Sequence, residues 1–232
     1  FAHARGLRLH MDGARIANAL ARAGLLQAAA NSLLEIVRKG PDKLYFREAF
    51  QQLRELRRKI NYRPPELEDL TRFSVATAPQ EFQDAFYYFV GEFLHDFGLS
   101  MQAQPYLEKV TPEAEDYPRA QYLLGLSAFE DDKLDLKTKI QTASQAFQQS
   151  IVAAERQPNG RPMVDLAYLA LARIAYEIEQ FDAAIFYYKK ISKNSPKLAS
   201  AFYEAAWTYF LKGDYSRALG TFEALHSPYF AH

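Results

Sequence analysis

Apolar positions recur in this chain with two nested periods. Over short stretches they fall three and four residues apart, the spacing of one face of a helix. Phe46, Phe50, Leu53, Leu56 and Ile60 form one such row, and Ala218, Leu219, Phe222 and Leu225 form another. Over longer distances the whole pattern returns: residues 165–198 and 199–232 superpose at a period of 34 residues without a gap. Tyr168, Leu171, Ala172, Phe181, Ala184, Tyr188, Ile191 and Pro196 mark the first block. In the second, Phe202, Ala205, Ala206, Tyr209, Gly213, Tyr215, Ala218, Phe222 and Leu225 carry the pattern. Small residues occupy the places where two helices would cross closely, and aromatics fill the gaps beside them.

The pattern resembles the tetratricopeptide repeat: an aromatic, Leu-Gly, Tyr, Ala, Phe and a late Pro at this period. The resemblance implies an all-α chain, a right-handed solenoid of stacked antiparallel helix hairpins. One hairpin cannot bury its apolar face alone, so copies stack into a continuous core with a curved groove. The small pair Ala172/Ala184, or Ala206/Ala218, has upstream counterparts in Gly91/Ala103 and Gly125/Ala143. A further copy carries Ala17, Gly24, Ala29, Leu33, Ile36 and Pro41. The expected organisation is a single domain over 1–232, with repeats at about 10–43, 44–78, 84–117, 118–157, 165–198 and 199–232, or roughly twelve helices. The second repeat is degenerate: a helical stretch from Leu44 to Tyr62, the break Arg63-Pro64-Pro65, then a second helix from Pro65 to about Phe73. The fourth carries an insertion between its helices around Asp131 to Lys137, and further residues around Arg156 to Pro162 precede Asp165. Both insertions are expected in loops, which lengthen at small entropic cost.

Composition narrows the function. With 49% hydrophobic residues, 15 Tyr and 17 Phe, the chain can fill a large core. Lys and Arg number 28 and so do Asp and Glu, so no global field favours nucleic acid or an anionic membrane. No run approaches the roughly 18 apolar residues of a membrane helix. The absence of cysteine excludes disulfides, thiolate zinc sites and cysteine nucleophiles, and suits an oxidising compartment, so a periplasmic or envelope setting is favoured over the cytoplasm. The chain reads as an excised piece, so missing targeting signals carry little information.

Chemical motifs are few. Leu9-His10-Met11-Asp12-Gly13-Ala14-Arg15 resembles the pyridoxal-phosphate motif of threonine aldolases. That likeness would make Asp12 and Arg15 cofactor ligands, and it would need a Schiff-base lysine on an α/β sheet. Downstream, however, Leu25 to Arg38 reads as a helix, and Lys39 and Lys43 sit in a turn. The string is therefore read as a helix with Ala17, Leu20 and Ala21 packed in the first repeat, and no cofactor is expected. The five histidines show no metal-ligand spacing, and no phosphate loop or nucleophile elbow occurs. No enzyme activity is expected. In the basic run Arg54, Arg57, Arg58, Lys59 and Arg63, the first three share one helix face, which would suit phosphate or an acidic partner segment; the run is read instead as a solvated outer face balanced by Glu48, Glu55, Glu66 and Glu68.

In tetratricopeptide-repeat proteins the first helix of each hairpin lines the concave groove. The resemblance places Tyr88, Glu92 and His95 there from the third repeat, and Arg119, Tyr122, Leu126 and Phe129 from the fourth. The fifth adds Arg173 and Tyr176 with Leu169 beside them, and the last adds Tyr203, Trp207 and Phe210. Aromatics and arginine are the side chains enriched at binding hot spots. The Lys and Asn of the carboxylate clamp in chaperone-binding members are replaced here by Tyr, Leu, Glu or Arg, which argues against an acidic chaperone tail. The expected function is a non-enzymatic adaptor that binds a protein or peptide partner in a bacterial assembly. Neither nucleic acid nor membrane insertion is expected. An alternative is self-association through the uncovered last helix.

Overall fold

A computed structural model describes residues 13–227 apart from 23 and 61; the side chains of residues 13–16 and 19 are outside the description. Among the described residues there are eleven α-helices, one long 3-10 helix and no strand. The order is α1 (Gly13–Arg22), α2 (Leu26–Val37), α3 (Phe46–Ile60), the 3-10 helix (Pro65–Arg72), α4 (Gln80–Asp96), α5 (Ser100–Leu107), α6 (Tyr117–Glu130), α7 (Leu136–Ala154), α8 (Arg161–Glu177), α9 (Phe181–Tyr188), α10 (Leu198–Leu211) and α11 (Tyr215–Leu225). Each helix packs chiefly on its neighbours in sequence, which makes the fold a solenoid.

The helix crossings explain the small residues. A Cβ placed on Gly91 would lie 2.5 Å from Leu107 Cδ2, and one on Gly125 would lie 2.6 Å from Phe147 Cε1. Ala103, Ala143, Ala172, Ala184 and Ala206 are fully buried at the corresponding contacts. Aromatics fill the adjoining space. Phe50 of α3 lies 5.3 Å from Phe82, 5.4 Å from Phe86 and 5.1 Å from Phe89 of α4, centroid to centroid. Each such buried ring contributes about 1.5–3 kcal/mol by leaving water.

Polar groups tie the hairpins at their ends. Asp84 on α4 accepts hydrogen bonds from the backbone N–H and hydroxyl of Thr111, both at 2.9 Å. Asp165 on α8 accepts from the N–H of Ser192 at 3.0 Å. Asp135 caps α7 by accepting from Thr138 N at 3.0 Å and Thr138 Oγ1 at 2.7 Å, and these bonds hold its carboxyl below the usual range.

Two expectations change. The element at Pro65–Arg72 is a 3-10 helix, not an α-helix. Its buried Leu67 and Leu70 stand three apart, which aligns them on one edge of a three-residue turn. The insertion after α6 does not fall wholly in a loop. Leu136 and Lys137 are already helical, and α7 reaches 19 residues because Ala143, Ala146, Phe147, Ile151 and Ala154 give it a continuous apolar face. At the N-terminus, Gly13–Arg22 is helical and Ala17 is buried, with Leu20 and Ala21 packed against the core. Of the aldolase-like string, residues 9–12 lie outside the described residues.

The turn within a hairpin takes a left-handed residue. Gly98 (φ 73°) and Gly213 (φ 84°) provide it without steric cost, whereas Glu179 (φ 59°) does so with a Cβ. Glu179→Gly should therefore stabilise the chain by about 0.5–1 kcal/mol, read from urea unfolding. Loss of stability would mean that the Glu179 side chain contributes more than its backbone costs.

Candidate functional site

The residues expected to line the groove divide into two groups. Towards the N-terminal half, side chains are locked in ion pairs. Tyr88 is only 3% exposed, and its hydroxyl donates to Glu92 Oε1 at 2.6 Å. Burial first, then the Glu92 charge, pushes the Tyr88 phenol well above its ordinary pKa. Glu92 is in turn paired with Arg57. Tyr88 is therefore withdrawn from direct contact with a partner, a correction to its place in the expected surface. His95 is half-buried, and its Nε2 has no hydrogen-bond partner. Arg119 is exposed and lies 3.4 Å from the buried Asp116.

The basic run on α3 is also corrected. Its counterions are not Glu48, Glu55, Glu66 and Glu68. Arg57 forks onto Glu92 and, at 2.6 Å, onto Asp96, with its guanidinium 5.2 Å from the centroid of the Phe89 ring. Arg54 and Arg58 both reach Asp116, Arg58 at 2.7 Å, and Arg63 lies 3.5 Å from Asp96. A signal for this was present: Arg54 and Arg58 stand one repeat length before Tyr88 and Glu92, and so occupy the same positions of their own hairpin.

Towards the C-terminal half the row becomes aromatic. Tyr122 and Leu126 of α6 are half-buried, and Phe129 at its end is exposed. Burial raises the pKa of the Tyr122 phenol, and the positive charge of Arg173 on α8 offsets part of that rise. Arg173 forks onto Glu204 of α10 at 2.9 and 2.6 Å, and Tyr188 donates to the same carboxylate at 3.1 Å. Leu169 is buried, and Tyr176 packs edge-on against Phe181 at 6.3 Å. On α10, Tyr203, Trp207 and Phe210 are all exposed, Trp207 at 42%. Trp207 lies 6.4 Å from Tyr203, 5.7 Å from Phe210 and 5.6 Å from Phe222, in edge-to-face contacts. Phe222 and Tyr215 of α11 extend this cluster beyond the residues expected from the repeat pattern.

Residues 140–227 match the family model of the tetratricopeptide repeat. The fold is that of the tetratricopeptide-repeat proteins. A tetratricopeptide repeat protein from Parabacteroides merdae superposes with a TM-score of 0.60 at 17% identity, over 92% of this chain and 77% of its own. PilW, described as a widely conserved type IV pilus biogenesis factor, gives 0.60 at 14% identity over 94% and 95%. MamA gives 0.58 at 21% identity over 78% and 91%. No curated protein matches the sequence. Proteins of this repeat type generally mediate protein–protein interaction, and among the described residues no helix is long and apolar enough to cross a membrane.

Proposed function

We propose that the chain is a non-enzymatic scaffold that holds a protein or peptide partner along the face built by α4, α6, α8 and α10. The observation that carries this reading is the Tyr203–Trp207–Phe210 row. These three rings of one helix remain in water, with Tyr203 and Phe210 each packed edge-to-face against Trp207. A rigid aromatic surface of this kind loses little entropy on binding and gives up much apolar area, the usual composition of a hot spot. An extended or helical segment with apolar anchors fits it. The proposed setting is a bacterial multi-protein assembly at the envelope. The lack of cysteine suits an oxidising compartment, and PilW, of the same fold, is described as a pilus biogenesis factor.

The test is affinity capture with tagged chain as bait, offering both an extract of the source cell and a differently tagged second copy. Tyr203→Ala with Trp207→Ala should weaken capture of the partner at least about tenfold while leaving helical circular dichroism intact. Capture that survives both changes removes this surface from the binding site. Capture of the second copy alone, lost in the same variant, would assign the surface to self-association instead.

A further inference from the structure

Five guanidinium groups converge on three carboxylates where α3 meets α4 and the start of α6. Arg54, Arg58 and Arg119 share Asp116; Arg57 and Arg63 share Asp96, and Arg57 also holds Glu92. Among the ion-paired groups, guanidiniums outnumber carboxylates by five to three, within a chain whose net charge is zero. The cluster has two layers. In the inner one, Asp116 and Arg57 are buried, and the Nε–H groups of Arg54 and Arg57 are buried without an acceptor. In the outer one, Arg58, Arg63 and Arg119 are exposed. Arg63 and Arg119 reach their carboxylates only at 3.5 and 3.4 Å, too far for a good charge-assisted hydrogen bond. Each guanidinium carries five donors in a planar fork, so most of the outer donors lack a protein acceptor of matching charge.

We propose that this outer layer binds an acidic peptide segment, a run of Asp or Glu in the same partner whose apolar residues dock on α10. The inference rests on the concave-face reading and assigns the partner a polarity: carboxylates over Arg58, Arg63 and Arg119, aromatic or aliphatic side chains over Tyr203, Trp207 and Phe210. Carboxylates are favoured because their two oxygens match the guanidinium fork, and because the inner layer already uses that pairing. Single-stranded nucleic acid needs aromatic platforms for its bases. Here Tyr88 is buried and Arg57 covers Phe89. Arg54 and Asp116 also border a cleft of about 850 Å³, but its walls include Glu81, Glu113 and Glu115 and none of the three outer arginines. An acidic segment is therefore repelled from the cleft and directed onto the outer layer.

The probe is a fluorescein-labelled peptide of glutamates with an amidated C-terminus, followed by anisotropy against the whole chain, with a glutamine peptide and an oligouridylate as comparators. The glutamate peptide should bind, lose at least about tenfold in affinity between low and high salt, and lose a similar factor in the Arg58→Gln, Arg63→Gln, Arg119→Gln variant. Circular dichroism of that variant checks that it folds, and Arg→Lys at the same three positions should restore part of the binding. Equal binding of the glutamine peptide, tighter binding of the oligouridylate, or a triple variant that is folded and binds as well as the original would each overturn the inference. The two readings fail separately. If the glutamate peptide is not bound but partner capture still depends on Trp207, only the acidic half is wrong. If the peptide is bound and capture ignores Trp207, the aromatic half is wrong.

Discussion

Gly160→Ala should unfold this chain at markedly lower temperature or urea, by about 3 kcal/mol. The reason is space, not backbone freedom, because Gly160 has an ordinary φ of −77°. Gly160 precedes α8 and lies directly over the last turn of α7, so an added Cβ would fall on the carbonyl oxygen of Ala154. That oxygen already accepts the N–H of Gln157 at 3.0 Å, and Gly160 O accepts from Met163 and Val164 at the start of α8. Backbone on both sides is thus engaged, and no flexible side chain can yield. Relief requires α8 to move away from α7, opening the core where Phe147, Ile151 and Ala154 meet Val164, Ala167 and Leu171. A solenoid is stable through nearest-neighbour interfaces, so weakening this one should separate the helices before it from those after it. For a chain of this size, the loss corresponds to a fall in Tm on the order of 10 °C, with the transition broadening or splitting in circular dichroism. Gly220→Ala is the matched control. It sits within α11 with nothing within 4 Å of the new Cβ, and it should be neutral or stabilising by up to about 1 kcal/mol. A Gly160→Ala chain that melts with the wild type would show that the α7–α8 junction is not closely packed.

The same glycine shows how the fold could be read from the sequence and where the reading stopped. Gly91, Gly125 and the buried alanines were legible because a helix crossing leaves room for little else, and the restriction returns at each repeat. Gly160, in Gln-Pro-Asn-Gly, looked like loop punctuation; its steric role depends on where α7 ends, which no local pattern states. The 3-10 helix left a weaker trace, the three-residue spacing of Leu67 and Leu70 after two prolines, and the stronger helical habit of the preceding stretch hid it. At the candidate site, the exposed row on α10 followed from repeat position alone. Tyr88 did not, because its burial is imposed by Glu92 and Arg57, and Arg57 comes from a different hairpin. Asp116 was the least visible of all. A lone Asp before Tyr117-Pro118 reads as a turn residue, and its arginines lie 62 and 58 positions earlier in the chain.

Arg57→Ala should cost about 2–4 kcal/mol, a far larger loss than removal of any other ion-pair arginine on this face. Its side chain is 7% exposed, its guanidinium holds Glu92 and Asp96 together, and its plane covers Phe89. Truncation removes all three contacts and brings two carboxylates near each other with one weak cation, Arg63, at 3.5 Å. Glu92 keeps the Tyr88 hydroxyl, which satisfies one lone pair without neutralising the charge. Because Arg57 is buried, although Glu92 and Asp96 are 29% and 25% exposed, added salt should recover only part of the loss. Arg173→Ala is the informative comparison. Its fork onto Glu204 has better geometry, yet Arg173 is exposed, and such pairs are worth about 0–1 kcal/mol. The decisive variant combines Arg57→Met with Glu92→Gln and Asp96→Asn. Removing the carboxylate charges together with the cation should return at least half of the stability lost in Arg57→Ala, since the penalty lies in the uncompensated charges more than in the missing attraction. If Arg57→Ala and Arg173→Ala cost the same in urea unfolding, burial is not what sets the strength of this network.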